Sequence, residues 1–303
     1  MRYWKEFIQQ FPITNPSTKM LVDLSHYGII RVSGHDAAKF LDGQLSCNVQ
    51  ALQPGDNTLG AYCNIKGTVD SLFRLWRQEN EYYLRMLDSL VEPTLAELQK
   101  YALFSKVQLH NSSEHLCGFG VSNHKITLPM DHPNVEVLKI ADNRCEIYGT
   151  FEAVSKLWHD CISNAAHVDP YIWEILDIKD HIPELYPQTV GAFFPHDLNL
   201  PSLGAVSFIK GCFRGQEIVA RMEHRGKLKR KMHAFSAPDL AVPPQPADRI
   251  LTGGPEQEQI AGTVVRSCRN TDGRVIGLAV ISNALHTQKL FLGQSTITLT
   301  DLI

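Results

Sequence analysis

The sequence predicts an α+β protein that ends in a small β-barrel, on three observations. A strand, a helix, three strands, a helix and a strand follow one another between residues 29 and 109, the order of one sheet with helices on one face. A second, fainter version of that order occupies residues 116–179. Beyond Arg225-Gly226 the composition changes to short β-like runs separated by Gly, Pro and Asn-rich turns, the pattern of a small barrel.

The first 20 residues read as a helix or arm interrupted by Pro12 and Pro16. Residues 29–32 form a strand ending at Ser33-Gly34, and the apolar positions 37, 38, 41 and 45 give segment 35–45 helical spacing. Strand-like runs follow at 58–65, 69–76 and 82–87, with Lys66-Gly67 turning between the first two and residues 78–81 between the last two. Residues 93–103 read as a helix with Pro93 in its first turn, where a missing N–H is tolerated, and 105–109 as a closing strand. The second half supplies strands near 116–121, 135–141 and 144–148, then helices at 151–162 and 170–179. Its similarity to the first half is too faint for an independent repeat. The halves are therefore assigned to one larger domain, residues 1–228, with subdomains of about 20–112 and 113–228. Residues 183–201 hold four prolines and little periodicity, which marks a loop lining a site. The barrel, residues 229–303, is assembled from runs at 231–236, 249–251, 259–267, 275–281 and 294–299, with the proline-rich stretch 237–247 as a surface loop.

Composition narrows the function classes. The 303 residues suffice for two or three domains, and 44% hydrophobic with 20% charged residues is ordinary for a soluble globular chain. A formal net charge of -3 argues against a general nucleic-acid binder, though not against a local basic patch. No apolar run reaches the ~18 residues of a membrane helix, and the start Met1-Arg2-Tyr3-Trp4-Lys5-Glu6 lacks the apolar centre of a secretory signal. The expected compartment is the cytoplasm, with no membrane partner. The seven cysteines (47, 63, 117, 145, 161, 212 and 268) form no C-x-x-C pair, so no zinc knuckle or ferredoxin-type cluster site is read from spacing. The thirteen histidines show no tight ligand spacing, and no metal ligand is assigned.

The chemistry concentrates in Lys210-Gly211-Cys212-Phe213-Arg214-Gly215-Gln216-Glu217. One thiol stands between two glycines and two cations, directly before the helical run 217–221. Gly211 and Gly215 let the backbone turn tightly. A helix starting near Gln216 aims unpaired N–H groups back toward the sulfur, and Lys210 and Arg214 add positive charge, all of which favours thiolate over thiol. Glu217 lies where a helix start accommodates an acid. The competing reading is a small buried Cys in a glycine-bounded turn. As a hydrolase nucleophile Cys212 would need a His base and a third orienting group; His196, His224 and His233 are near in sequence, with nothing to aim any of them at the sulfur.

These residues, with Gly204-Ala205-Val206-Ser207-Phe208-Ile209 before them and IVAR after, resemble the K-G-C-[YF]-x-G-Q-E signature of the YgfZ family. That family holds folate-binding proteins and iron–sulfur assembly factors and is related in fold to the glycine-cleavage T-protein, an aminomethyltransferase. The resemblance extends in order through most of residues 28–232. Ile30-Arg31-Val32-Ser33-Gly34-His35-Asp36-Ala37 with Phe40-Leu41-Asp42-Gly43-Gln44-Leu45-Ser46 is similar to the family's N-terminal strand and F-L-x-G-Q segment. Gly60-Ala61-Tyr62-Cys63-Asn64-Ile65-Lys66-Gly67 resembles the hairpin that follows, and Ile182-Pro183 with Phe194-Pro195-His196-Asp197-Leu198-Asn199-Leu200 resembles the G-I-P … P-x-x-x-N-L loop. The chain departs from the pattern at Asp180-His181, where the family usually has Ala-Gly, and at Ser71, where T-protein has its second acid.

The resemblance implies a T-protein-like fold of ferredoxin-like subdomains with the barrel, around a folate-sized cavity. It implies tetrahydrofolate as cofactor and iron–sulfur client enzymes, some of them tRNA-modifying, as partners. Cys212 would be the reactive residue, tuned by Lys210 and Arg214. Gly211, Gly215, Gln216, Glu217, Phe194, Asn199 and Arg221 would shape or line the folate side, with Phe193 and Phe208 as further aromatic walls. Asp70 is the alternative centre, in the position of the T-protein acid used for one-carbon transfer; a solvated or capping Asp in a hairpin is the plain reading. The run 221–231 holds six cations against one acid. It is a candidate for a polyglutamate tail or tRNA backbone, or simply a solvated interdomain strand. Three functions stay open: a YgfZ-like accessory factor, an aminomethyl or one-carbon transferase of the T-protein type, and a folate-storage or sensing module without chemistry.

Overall fold

The structure, a computed structural model, describes residues 2–122, 135–225, 228–253 and 258–300. Its elements in chain order are α1 (Arg2–Ile8), β1 (Met20–Asp23), β2 (Tyr27–Ser33), α2 (Ala37–Gln44), β3 (Asn57–Cys63), β4 (Val69–Gln78), β5 (Glu81–Leu87), α3 (Asp88–Ala102), β6 (Gln108–Asn111), β7 (Cys117–Ser122), β8 (Val135–Ala141), β9 (Arg144–Gly149), α4 (Phe151–Ile162), β10 (Ala166–Val168), α5 (Tyr171–Lys179), α6 (Gln216–Arg225), β11 (Arg230–Ala237), β12 (Arg249–Thr252), β13 (Gln259–Arg269), β14 (Val275–Ser282), β15 (Leu290–Leu292) and β16 (Ser295–Thr300). Two five-stranded sheets form, in the orders β3-β4-β5-β2-β6 and β10-β1-β7-β9-β8, and β11-β14-β13-β12-β15-β16 close into a barrel. The expected α+β class with a terminal barrel is what the chain adopts.

Two compact units share these elements. The first comprises Met1–Asp42, Asn48–Leu59 and Phe73–Trp173, the second Gly43–Cys47, Gly60–Leu72 and Glu174–Ile303. In the first, α1 and α4 lay Trp4, Ile8, Val154, Leu157 and Trp158 over Leu21, Phe119, Val121 and Ile147 of the β10-β1-β7-β9-β8 sheet. Trp4 meets Trp158 edge-on at 5.8 Å and its indole N–H donates to Asp23 at 2.8 Å, so the aromatic core keeps its polar atom satisfied. Arg85 of β5 and Glu146 of β9 form a buried ion pair, and the Arg85 guanidinium also lies over the Tyr27 ring at 3.8 Å.

In the second unit the barrel closes on Phe235, Ile250, Val264, Ala279, Ile281, Leu290 and Ile297. Arg266 of β13, almost wholly buried, donates to both Glu174 carboxylate oxygens (2.7 and 2.6 Å), to Asp177 (3.3 Å) and to Ile182 O (3.0 Å). These carboxylates hold the Arg266 charge despite its burial. They also tie α5 and the segment after it to the barrel.

Several elements differ from their sequence-based bounds. Helix α3 begins at Asp88, and Pro93 lies inside it, not in its first turn. Asp88, an acid suited to a helix start, is the signal that marks the true beginning. Strands β1 and β10, for which the sequence assigns no strand, pair in parallel through Met20–Ala166, Leu21–His167 and Val22–Val168. Strand β15 is too short to show a period of its own. Along α5 the expected bounds hold, and the helix ends in a Schellman motif: Ile182 N donates to Asp177 O (2.9 Å) and His181 N to Ile178 O (3.1 Å). His181 carries φ 56°, so it occupies the left-handed position that glycine fills most easily. Burial lowers its imidazole pKa. The turn thus persists with His181 in the glycine position.

Candidate functional site

The 208–215 loop is anchored from within and carries its thiol outward, beside an Ile209 side chain that is 94% exposed. Phe213 is buried and anchors it, while Gly211 and Cys212 are exposed. The Lys210 ammonium donates to Leu45 O and Cys47 O, both at 2.8 Å, and lies 5.5 Å from the Phe213 ring centre. The Arg214 guanidinium hydrogen-bonds the Tyr62 hydroxyl and sits 5.0 Å over that ring. Partial burial pulls Arg214 below the usual guanidinium range. Both cations flanking the thiol therefore brace the loop against Leu45, Cys47 and Tyr62. Ser46 supports the same anchor: its hydroxyl donates to Ala205 O (2.6 Å) and accepts from Ala61 N (2.9 Å).

Helix α6 starts at Gln216, as its sequence predicts, with Gln216 N donating to Phe213 O at 3.0 Å. Gly215 before it has φ 79°, and a Cβ there would lie 2.4 Å from Asn64 O and 3.2 Å from Gly67 Cα. Gly67 has φ 77°, and its Cβ would strike Ile218 of α6 at 2.8 Å. Two glycine turns thus interlock the hairpin between β3 and β4 with the start of α6, at a separation only bare backbone permits. Gln216 is half-buried, whereas Glu217 and Arg221 are exposed and pair with each other at 2.9 Å.

That hairpin carries Asp70. Asn64 Nδ2 donates to Thr68 Oγ1 (2.7 Å) and to Asp70 Oδ1 (2.8 Å), and Asn64 Oδ1 accepts from Lys66 N (2.9 Å) and Thr68 N (3.3 Å). One amide side chain thereby fixes both the turn and the carboxylate. Val69 pairs with the 191–193 segment, its N–H donating to Phe193 O and its carbonyl accepting from Gly191 N, each at 2.8 Å. A Cβ on Gly191 would approach Asp70 Oδ1, Thr68 Oγ1 and Asn64 Nδ2 at 3.6, 3.8 and 3.9 Å, so the glycine opens onto this polar trio. The neighbouring Cys63 thiol is buried, and burial, with Asp70 adding to it, pushes its pKa up to about 12.

The proline-rich stretch is an ordered loop. Phe193 is buried and Phe194 half-buried, with Phe194 N donating to Asp197 Oδ2 at 2.9 Å. Asn199 adopts φ 56°, suited to Asn, and donates to Met232 O at 3.3 Å. Asp197 pairs with Arg230 at 2.5 Å, and buried His196 bonds Glu223 of α6 through Nε2 at 2.9 Å. Within the basic run 221–231, Arg221 and Arg230 therefore have acid partners; Gly226, Lys227 and the Arg225 side chain lie outside the described residues. Phe208 packs beside His196 and His224, at 6.1 and 6.3 Å between ring centres.

The contacts join Asp70, Asn64 and Gly67 with Gly215 and α6, and join Lys210 and Arg214 with Leu45, Cys47 and Tyr62. Tyr62, Asn64 and Ser46 were not singled out from sequence. Their signal was present, since all three fall within the segments that resemble the family, but Ser46 and Tyr62 act through residues more than 140 positions away, and Asn64 holds Asp70 only in the formed hairpin. Among the described residues no group of three or more His, Cys, Asp or Glu is placed to hold a metal ion, and no helix is long and apolar enough to cross a membrane.

Residues 14–122 match the family model of the GCVT N-terminal domain. The tRNA-modifying protein YgfZ of Aliivibrio fischeri is 32% identical over 288 residues, covering 91% of this chain and 89% of its own. Its namesake in Vibrio atlanticus is 32% identical over 296 residues, 93% and 91% of the two chains. Among solved structures, the glycine cleavage system aminomethyltransferase T from Bartonella henselae matches with a TM-score of 0.73 at 16% identity, covering 99% of this chain and 88% of that one. At that identity the likeness is one of fold.

Proposed function

The chain belongs to the YgfZ family of tRNA-modifying proteins, and from that footing we propose that it is a folate-binding cytoplasmic accessory factor that sustains iron–sulfur enzymes, tRNA-modifying ones among them, through Cys212. One observation carries this reading. Of the seven cysteines only Cys212 is exposed, on a loop whose flanking residues Lys210, Phe213 and Arg214 are all anchored. A loop braced at that many points, with its sulfur exposed beside an exposed Ile209, is suited to presenting a thiol to another molecule. Gly211 leaves the approach open, since nothing lies within 4 Å of where its Cβ would stand.

Tetrahydrofolate, a carrier of one-carbon units, suits the polar groups of the second unit. Gln44 Oε1 is buried and accepts no hydrogen bond among the described residues, a cost a ligand donor would relieve. Gly191 opens onto Asp70, Thr68 and Asn64. Gln44 and Asp70 would receive the pterin's donors, Asp70 being held in place by Asn64, with half-buried Phe194 as an apolar wall and Gly215, Gln216 and Asn199 shaping the backbone around it. Exposed Glu217 and Arg221 stand farther out along α6, where Arg221 would meet the folate carboxylates. The basic run, with Lys229 and Lys231, would meet tRNA phosphates.

The test is Cys212→Ser. The variant should unfold at the wild-type midpoint and bind tetrahydrofolate unchanged, yet fail to restore iron–sulfur tRNA-modifying activity in cells lacking the protein. Restored activity would overturn the proposal. The Asn64-held Asp70 favours a second reading, aminomethyl transfer of the T-protein type. Incubation with tetrahydrofolate and an aminomethylated carrier protein would then yield methylene-tetrahydrofolate, and yield none after Asp70→Asn.

A further inference from the structure

We infer that the first unit contains a separate binding site for a small organic cation, formed by the carboxylate of Glu136 and the aromatic walls of Trp76, Tyr83 and Tyr148. A half-open cavity of about 190 Å³ is lined by these residues with Gln78, Leu116, Gly149 and Thr150. All of them fall within Phe73–Trp173, so the site draws on no residue of the Cys212 loop or the Asp70 hairpin. Its volume is below the ~300 Å³ at which pockets for drug-sized ligands begin, so it suits a group the size of one side chain.

The chemistry of the lining selects the charge. Trp76 stacks between Tyr83 (5.1 Å, 11°) and Tyr148 (5.4 Å, 17°), giving a rigid aromatic bank. The other acids nearby are already engaged: Glu81 pairs with Arg31 and accepts from the Tyr83 hydroxyl, while Glu146 pairs with Arg85 and accepts from the Tyr148 hydroxyl. Glu136 differs from them. It is half-buried on β8 and makes no ion pair or hydrogen bond among the described residues. Burial raises its pKa, as it does for a carboxyl that water solvates poorly and that no cation among the described residues compensates. The Trp76 indole N–H is likewise buried without a partner. A lone acid in an aromatic-walled cavity attracts an ammonium group by charge, while the stacked rings offer its organic part an apolar wall. A neutral or anionic ligand lacks the charge contact.

The probe is benzylammonium, with benzyl alcohol as its neutral counterpart, titrated calorimetrically into the full chain. The amine should bind saturably at pH 8 and roughly tenfold more tightly than the alcohol, the worth of one modest charge contact. Binding should weaken on acidification as Glu136 takes up a proton. Glu136→Gln should lose the preference for the amine while unfolding at the same or a higher temperature, because an uncompensated charge has been removed. No saturable binding, equal binding of amine and alcohol, or a preference indifferent to Glu136→Gln would each overturn the inference. The amine–alcohol comparison on the unaltered chain decides the matter even if the variant folds poorly.

Discussion

The Cys212 loop and the Asp70 hairpin meet at Gly215, and they secure their functional groups in opposite ways. The thiol is left exposed while the side chains around it, Lys210, Phe213 and Arg214, are each tied down. The carboxylate is itself tied down, by Asn64, within a turn whose polar atoms satisfy one another. An outward group on a fixed frame is suited to meeting a macromolecule. An oriented acid beside an open glycine is suited to a bound small molecule. The difference shows how one fold can hold an exposed thiol and an oriented carboxylate side by side by different means.

The sharpest way to break the comparison is Gly215→Ala. The new Cβ meets Asn64 O at 2.4 Å on a backbone with φ 79°. Left-handed strain and overpacking together should cost about 2–5 kcal/mol, read as a lower denaturant midpoint, and should impair both folate binding and thiol function. Crossed substitutions separate the two regions. Lys210→Met strands two carbonyls and should cost about 2–3 kcal/mol, speeding alkylation or proteolysis at the 208–215 loop while leaving folate affinity near wild type. Asn64→Ala should cost about 1–3 kcal/mol and do the reverse, weakening folate binding without changing alkylation at Cys212. If both variants damage both readouts equally, the regions act as one device and the contrast fails.

The smallest effect is expected at His181, which touches neither region. His181→Gly relieves a left-handed residue and should stabilise by about 0.5–1 kcal/mol. Because burial depresses the folded-state His181 pKa, the unfolded chain binds the extra proton first as pH falls through about 6.5. Wild-type stability should therefore decline over that window by a component the glycine variant lacks. Thermal melts at pH 8 and pH 5.5 measure it.

Much of this architecture was legible because long periodic segments declare themselves. The bounds of β8 and α4 and the start of α6 match expectation, as local pattern and tertiary packing agree there. Strands β1, β10 and β15 were not legible: three or four residues show no period, and β1 and β10 exist only because each completes a sheet with partners far along the chain. At the site, the KGCFRGQE motif was plain, but not the destination of its cations. A lysine beside a cysteine suggests tuning of the thiol; the carbonyls of Leu45 and Cys47 lie more than 160 positions away and become partners only on folding. Glu136 gave no sequence signal at all, since its isolation is a property of what surrounds it.

The distribution of sulfur has a practical consequence. Six cysteines are withdrawn from solvent to some degree, and burial pushes Cys63, Cys117, Cys145 and Cys268 up to about 12. The unaltered polypeptide thus comes with one fully exposed attachment point, Cys212, and one partly buried competitor, Cys161. A maleimide-linked photocrosslinker should load first at Cys212 and capture whatever approaches that face.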